Sequence, residues 1–268
     1  MTTRLLLHDA LTTANIIQPL RLGWVQHEFD VDLSEKLESG DVDAGSFALI
    51  PSPEITLLVD SHNILAAVAV VDEQSSAIAM RTPVRPDDIE ASDVVLYETN
   101  ATAEVLARAL LWPFFGITAR SLSALPNAEA QVTIVEGALA LQEPETGQSL
   151  DLGRSWFVMT GMPLVSHVLI GPRNASSAEQ SAVVSALNES LSEAHARRRE
   201  LRQRFDTQYS VDRERLVSYF AGQRYRLDAG DREALVALLV RGAGGSRFRP
   251  LTRLPYADDD AAEEDATS

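Results

Sequence analysis

The chain has 268 residues, and its 45% hydrophobic and 23% charged content is typical of a soluble globular protein with room for one large domain or two smaller ones. The net charge of −16 argues against a nucleic-acid partner, although six acidic residues lie after position 257 and leave −10 on the rest of the chain. The sequence has no cysteine, which excludes disulfides, thiolate metal ligands and a cysteine nucleophile.

The N-terminal segment has one run of three leucines before His8 and Asp9. This run is too short for the apolar part of a signal peptide, and no apolar stretch of about 18 residues occurs elsewhere. We therefore expect a soluble, cytoplasmic protein that does not associate with membranes.

Strands and helices alternate over the first third of the chain. Ser34 opens a short predicted helix that Gly40 closes. Alternation of this kind favours a parallel sheet, whose ligands bind beyond the carboxyl ends of the strands. Strands are predicted at residues 4–8, 28–31, 43–50, 64–71 and 76–81.

Residues 94–111 contain a predicted strand, a polar loop and a predicted helix. The strand covers residues 94–97, and the helix covers residues 103–111 and stops before Pro113. Thr99 or Asn100 can cap this helix, whose free N–H groups and dipole favour a carboxylate. The alternative is an ordinary capped helix without a ligand.

The sequence predicts two crossings between lobes, one near residue 83 and one near residue 160. Residues 151–169 are predicted as a strand that breaks at Thr160 and Gly161 and then resumes, which suits one crossing, and the proline-rich segment from Pro83 suits the other. A further strand is predicted at residues 131–135, and helices at residues 177–205, 212–220 and 231–240. The predicted organisation is one lobe from residues 1–82 and 164–256, a second lobe from residues 83–163, and a disordered acidic tail at residues 257–268.

Most familiar catalytic motifs are absent from the sequence. The five histidines are dispersed without metal-ligand spacing, and no nucleophile elbow, phosphate loop or dinucleotide fingerprint occurs, so we expect neither a metal nor another cofactor. What remains is a set of small polar residues at predicted strand ends and helix starts. Each alone can be explained as a cap or turn residue, but their recurrence predicts a shared crevice for a small anion. The set comprises Thr12, Thr13, Asn15, Ser52, Thr99, Asn100, Thr102, Thr160 and Gly161.

Four segments, residues 40–52, 98–102, 134–139 and 151–163, resemble the chorismate dehydratase family of the futalosine pathway of menaquinone biosynthesis. The last segment is close to the D-L-G-x-x-W and T-G-L-P-F motifs of that family. The resemblance implies an α/β fold of the two-lobed, type II periplasmic-binding-protein kind, with a mainly parallel sheet flanked by helices in each lobe and a ligand crevice between the lobes. One departure is Ala10-Leu11-Thr12, where the family has an aromatic-Leu-Asn tripeptide whose Asn lies at the active site.

The resemblance further implies a hydro-lyase that converts chorismate to 3-[(1-carboxyvinyl)oxy]benzoate, so a small dicarboxylate is the expected partner. The alternative is a non-catalytic protein of the same fold that binds a small carboxylate as a solute-binding protein or sensor. The sequence leaves the oligomeric state open, including a homodimer.

Site roles follow from the same resemblance. Thr12 or Asn15 would orient the departing group, and Ser52 would bind one carboxylate or the ring hydroxyl together with Thr160 and Gly161. No strongly basic side chain is evident, so a carboxylate of the substrate is expected to assist proton removal. The other carboxylate is assigned to Thr99, Asn100 and Thr102.

Overall fold

The computed structural model describes residues 3–209 and 211–259, which fold into two β-sheets flanked by helices. The strands are β1 (Arg4–His8), β2 (Asp30–Ser34), β3 (Phe47–Pro51), β4 (His62–Asp72), β5 (Ile78–Thr82), β6 (Ala91–Tyr97), β7 (Thr118–Ser123), β8 (Val132–Glu136), β9 (Gln148–Asp151), β10 (Leu164–Pro172) and β11 (Gln223–Arg224). The helices are α1 (Ala14–Arg21), α2 (Ala101–Leu111), α3 (Ala138–Leu141), α4 (Leu152–Thr160), α5 (Ser177–Ala196), α6 (Arg198–Tyr209), α7 (Arg213–Ala221) and α8 (Ala229–Gly242).

Both sheets are mixed. The first has the order β11-β4-β10-β3-β1-β2, in which β1 is parallel to β2 and β3, while β10 is antiparallel to β3 and β4. The second has the order β7-β6-β8-β5-β9, in which β6 is parallel to β7 and β8, while β5 is antiparallel to β8 and β9. The predicted α/β fold with two sheets is confirmed. The parallel strands form only part of each sheet, because β10 and β11 in the first sheet and β5 in the second are antiparallel to their neighbours.

The chain passes from the first sheet to the second between β4 and β5, at residues 73–77. The predicted lobe boundary between residues 82 and 83 assigns β5 to the first lobe. Strand β5 instead pairs with β8 and β9, so it belongs to the second sheet. The prolines at Pro83 and Pro86 mark a turn within the second sheet, because a short 3-10 helix at Pro86–Asp88 precedes β6.

The apolar segment before the return crossing is a helix, α4, and not the first half of a broken strand. The side chain of Asp151 caps α4 by accepting a hydrogen bond from the backbone of Arg154 at 3.0 Å. Gly161 ends α4 with a positive φ of 71°, a conformation that glycine adopts without strain. A dense apolar run fits a buried helix as well as a strand, so periodicity alone did not separate them.

Two further differences concern helix boundaries. The predicted helix over residues 177–205 is two helices, α5 and α6, which are separated at Arg197. Strand β2 extends through Ser34, where a helix start was predicted, and the nearest helical turn is the 3-10 turn Ser39–Asp41.

The C-terminal segment is placed as far as Asp259, so the start of the predicted disordered tail at residue 257 is too early. Arg232 on α8 forms ion pairs with Asp258 and Asp259, and its guanidinium lies 4.1 Å from the centre of the Tyr256 ring. The remaining residues of the predicted tail, 260–268, lie outside the described part of the chain.

Helix α8 contacts elements from both sheets. It packs against β10 of the first sheet and against α2, which follows β6 of the second. The contact with α2 is close at Gly242, where an added Cβ would lie 2.1 Å from the carbonyl oxygen of Val105. Within residues 3–209 and 211–259, no helix combines the length and apolar character that spanning a bilayer requires.

Candidate functional site

Polar and ionisable side chains from both sheets meet where the strand ends face each other. The loop after β1 and the end of β8 are neighbours there, since an added Cβ at Gly137 would lie 3.9 Å from the Cβ of Leu11. We call the group of residues at this place the junction residues. They are Thr12, Asn15, Asp72, Asn100, Glu136, Tyr219, Gln223 and Tyr225.

Thr12 and Asn15, two of the residues predicted from the sequence, lie in one hydrogen-bond network with the C-terminal part of the chain. The side-chain amide of Asn15 donates to the hydroxyl of Tyr225 at 2.7 Å, and that hydroxyl donates to Gln223 Oε1 at 2.7 Å. Gln223 Nε2 lies 2.8 Å from the hydroxyl of Tyr219 and 3.3 Å from the carbonyl oxygen of Thr12. The loop after β1 is therefore held by residues more than 200 positions away.

The same network reaches a buried carboxyl group. Gln223 Nε2 also lies 3.2 Å from Asp72 Oδ1, at the end of β4, and Asp72 is only 2% exposed. Burial raises the pKa of Asp72 to about 7, against the opposing effect of hydrogen bonds from Gln223 and Ser166. At neutral pH this group can therefore carry or release a proton.

Asn100 caps α2, as one of the two predicted capping residues. Its Oδ1 accepts hydrogen bonds from the backbone N–H groups of Thr102 at 2.8 Å and Ala103 at 3.2 Å. Its backbone N–H and side-chain Nδ2 both donate to the carboxyl group of Glu136, at 2.9 Å and 2.6 Å. The predicted anion site at the start of α2 thus holds a carboxyl group of the chain itself.

Glu136 has a strongly shifted pKa. The pKa is raised to about 8, mainly by desolvation and to a smaller extent by the negative charge of Asp72, whereas the backbone hydrogen bond from Asn100 opposes the rise. The residue as a whole is half-buried. Sequence reasoning missed Glu136 because it ends an ordinary-looking strand, and its environment depends on residues distant in sequence.

Ser52 and Thr102 donate hydrogen bonds to neighbouring positions of β10. The hydroxyl of Ser52 donates to the carbonyl of Val165 at 2.7 Å, and that of Thr102 donates to the carbonyl of Ser166 at 2.7 Å. Both side chains are fully buried. In this structure their hydroxyls attach the 3-10 turn after β3 and the start of α2 to one strand.

Thr160 and Gly161 lie at the C-terminal end of α4 and are not joined to the junction network by any hydrogen bond among the described residues. The hydroxyl of Thr160 donates to the carbonyl of Trp156 at 2.7 Å, and the N–H of Gly161 donates to the carbonyl of Phe157 at 2.8 Å. The negative end of a helix dipole disfavours an anion, so this position does not suit a substrate carboxylate.

The predicted loop residue Thr99 is half-buried and directly precedes the Asn100 cap. Its neighbour Glu98 has a φ of 50°, which is strained for a residue with a side chain. Strained backbone is often found in loops that carry function.

A pair of buried histidines connects β1 and β10. His8 Nδ1 lies 2.8 Å from His167 Nε2, and the rings stack with centroids 5.1 Å apart. His8 Nε2 faces the carbonyl oxygen of Glu35 at 3.2 Å, so this nitrogen carries the proton and His8 Nδ1 accepts from His167. Burial lowers the pKa of His8 to about 4 and that of His167 well below its ordinary value, which keeps both rings neutral.

Two surface grooves lie away from the junction residues. One is lined by β4, α5 and Ala257, and the other by α8, Thr252 and Leu254. Neither groove contains a junction residue.

Two mixed sheets joined by two crossings, with polar residues of both meeting at the junction, define the periplasmic-binding-protein fold. The chain is similar to protein AF1704 from Archaeoglobus fulgidus, with 17% identity, a TM-score of 0.65, and coverage of 88% of this chain and 95% of that chain. It is similar to the alkanesulfonate-binding protein SsuA from Xanthomonas axonopodis pv. citri, solved bound to MOPS, with 11% identity, a TM-score of 0.60, and coverage of 89% and 91%. It is also similar to the Candida albicans CA3427 product, described as having the generic periplasmic binding protein fold, with 11% identity, a TM-score of 0.56, and coverage of 84% and 82%.

The chain belongs to the menaquinone biosynthesis family, whose model matches residues 22–243. No curated protein matches the chain in sequence. The family resemblance noted from the four sequence segments is thus confirmed at the level of menaquinone biosynthesis.

Proposed function

We propose that the protein is a chorismate dehydratase-like hydro-lyase that acts in the cytoplasm in menaquinone biosynthesis. The observation that carries this proposal is the presence of two carboxyl groups, Asp72 and Glu136, with pKa values near neutrality at the junction of a menaquinone biosynthesis family member. A protein that only binds a solute needs shape and hydrogen-bond complementarity. Groups that hold and release protons near pH 7 suit acid–base catalysis.

The proposed reaction removes water from chorismate. A proton leaves C3 of the ring, the C4–O bond breaks with its electron pair going to oxygen, and the electrons of the C3–H bond form the new double bond. The ring becomes aromatic, which supplies the driving force, and the products are 3-[(1-carboxyvinyl)oxy]benzoate and water. No oxidant or reductant is required, so the chain must provide only binding, orientation and proton transfer.

In this proposal the junction residues surround the substrate. Thr12 and Asn15 remain our proposed orienting residues because they share a network with Asp72, and Thr99 and Asn100 remain proposed contacts on the side of α2. Access for a substrate would require the two sheets to move apart about the crossings at residues 73–77 and 161–163, as hinged two-lobed proteins do. Asp72 or Glu136 in its neutral form can then donate a hydrogen bond to a dicarboxylate rather than repel it.

A second candidate is a non-catalytic protein that binds a small carboxylate. It is favoured by Thr12, which stands where the chorismate dehydratases have an active-site Asn, and by the shared fold with an alkanesulfonate-binding protein. This candidate predicts affinity for small anions without turnover.

The test is incubation of the purified protein with chorismate, followed by chromatographic separation of the products. We expect chorismate to disappear and the substituted benzoate to form. Unchanged chorismate at high protein concentration, with a rise in melting temperature on adding chorismate, would favour the binding protein, because a ligand that binds only the folded state stabilises it. If neither product nor a thermal shift is observed, both candidates are contradicted.

A further inference from the structure

We infer that Arg215 on α7 and the segment from α3 to Glu143 form a latch between the two lobes, which must open before a substrate enters or a product leaves. The first lobe is here the first sheet with its helices, and the second lobe is the second sheet with its helices. The inference rests on the proposed function for the identity of the substrate, whereas the latch itself requires no ligand.

The two sides of the latch belong to different lobes. Helix α3 follows β8 of the second sheet, whereas α7 leads into β11 at the edge of the first. From α7, the guanidinium of Arg215 donates a hydrogen bond to the carbonyl oxygen of Leu141 at 3.0 Å and forms an ion pair with Glu143. Both acceptors lie at the C-terminal end of α3, so one side chain bridges the lobes.

An apolar contact lies beside this ion pair. Ala138 and Leu141 on α3 are half-buried and pack against a cluster of buried residues that includes Leu11 and Leu216. Leu216 follows Arg215 on α7, and Leu11 directly precedes Thr12 in the loop after β1. The latch therefore includes a contact with the loop that carries a proposed orienting residue.

The closed latch leaves the proposed site without access. Thr12 and Asp72 are only 3% and 2% exposed, and the amide of Asn15 is bonded to Tyr225. Neither of the two surface grooves includes any of these residues. A substrate reaches them only when the lobes separate, so the contacts of the latch lie on the path of opening.

The contacts of the latch are of a kind that can break and form again. The crossings at residues 73–77 and 161–163 connect the lobes covalently, whereas α3 and α7 are joined by non-covalent contacts. The side chains of Arg215 and Glu143 are 41% and 74% exposed, and exposed ion pairs contribute little stability. A rotation of the lobes about the crossings can therefore separate the two sides at small cost.

The first experiment needs no ligand and compares wild type with Arg215→Ala by small-angle X-ray scattering. The matched control is Arg213→Ala, since Arg213 is exposed on the same helix and lies 3.9 Å from Asp206 within the first lobe. We expect Arg215→Ala to increase the radius of gyration and Arg213→Ala to leave it at the wild-type value. Equal radii of Arg215→Ala and wild type would overturn the inference. If Arg215→Ala fails to fold, Glu143→Gln removes the ion pair alone and carries the same expectation.

The second experiment uses the absence of cysteine from the sequence. Glu143→Cys and Arg215→Cys are combined and joined with a short, reducible reagent that links two thiols, which fixes the latch shut. We expect turnover of chorismate by the joined protein to fall by about tenfold or more and to recover on reduction. The control combines Glu200→Cys with Arg204→Cys, an ion pair within α6, and joining this pair should leave turnover unchanged.

The outcomes separate the latch from the proposed function. Full turnover by the protein with the joined latch pair would overturn the inference and leave the proposed function standing. If the wild type does not convert chorismate, the proposed function is contradicted, and the scattering comparison alone then decides whether the latch holds the lobes together.

Discussion

Asn100 donates two hydrogen bonds to the carboxyl group of Glu136, one from its backbone at 2.9 Å and one from its side chain at 2.6 Å. The same side chain uses its oxygen to cap α2, so a single amide orients both a helix and an acid. A substrate carboxylate that approached the start of α2 would meet Glu136 there. The charge state of Glu136 therefore decides whether this part of the junction attracts or repels an anion.

Asn100→Asp tests the pairing directly. Aspartate caps a helix as well as asparagine, but it replaces the donor that faces Glu136 with a second carboxyl group. We expect a loss of about 1–3 kcal/mol in the free energy of unfolding, measured by chemical denaturation, and a larger loss above about pH 8 than below it. The double variant with Glu136→Gln should recover stability, because the glutamine amide can donate to the new aspartate. Equal stability of Asn100→Asp and wild type would exclude the pairing.

The buried carboxyl group of Asp72 should make the free energy of unfolding depend on pH. Its pKa is about 7 in the folded protein and 3.8 in the unfolded chain, so between these values only the unfolded state releases the proton. Stability attributable to this group is present below about pH 4 and is lost as the pH rises to about 7. We expect Asp72→Asn to be more stable than wild type at about pH 8, by about 1 kcal/mol or more, and to lose this advantage near pH 4.

The measurement for Asp72 is urea denaturation at several pH values. Glu73→Gln is the matched control, since it removes an exposed carboxylate at the next position and should change stability by less than about 0.5 kcal/mol. A wild type whose stability relative to Asp72→Asn rises between about pH 4 and pH 8 would show that folding favours the charged form.

The buried histidine pair should change the stability of the protein with pH in the opposite direction. The pKa of His8 is lowered from 6.5 to about 4, so between these values the unfolded chain binds a proton that the folded protein does not. Stability from this group is therefore lost as the pH falls from about 6.5 to about 4. His8→Gln keeps a donor for the carbonyl of Glu35 and an acceptor for His167, and it should weaken this acid-side loss in urea denaturation. An unchanged slope would contradict the neutral, buried state of His8.

The contact between α8 and α2 is tested by Gly242→Ala. At an exposed position within a helix, alanine stabilises the helix relative to glycine by up to about 1 kcal/mol. Here the new Cβ would lie 2.1 Å from the carbonyl oxygen of Val105, so we expect a net loss of about 1–3 kcal/mol, seen as a lower melting temperature. Gly244→Ala is the control, because an added Cβ there meets no atom within 4 Å. Equal melting temperatures of the two variants would contradict the close packing.

Ser52→Ala and Thr102→Val separate a structural role from substrate binding. Each variant removes one hydroxyl hydrogen bond to β10, so each should cost about 1 kcal/mol of stability and a few degrees of melting temperature. The affinity for chorismate should change little, because both hydroxyls are buried and already bonded. Wild-type stability with affinity weakened by about tenfold would instead support the substrate contacts expected from the sequence.

Local patterns predicted the elements that local interactions form. Strand β1 was predicted with its observed bounds, and the Asn100 cap of α2 was predictable because its hydrogen bonds reach only two and three residues along the chain. Helix α4 was mistaken for a strand although Asp151 and Gly161 carry local capping signals, because the apolar run between them lacks a decisive period. The position of β5 depended on its partners β8 and β9, which no local pattern reveals.

By itself, the sequence determined the α/β class, the family and the candidate segments, including Thr12, Asn15 and Asn100, because periodicity, caps and motifs are properties of neighbouring residues. Only the tertiary structure decided that Asn15 joins Tyr225 and that Asn100 holds Glu136, contacts that span 210 and 36 positions of the chain. The same holds for the raised pKa values of Asp72 and Glu136. Desolvation and nearby charge cause those shifts, and both depend on which distant segments the fold brings against the carboxyl group.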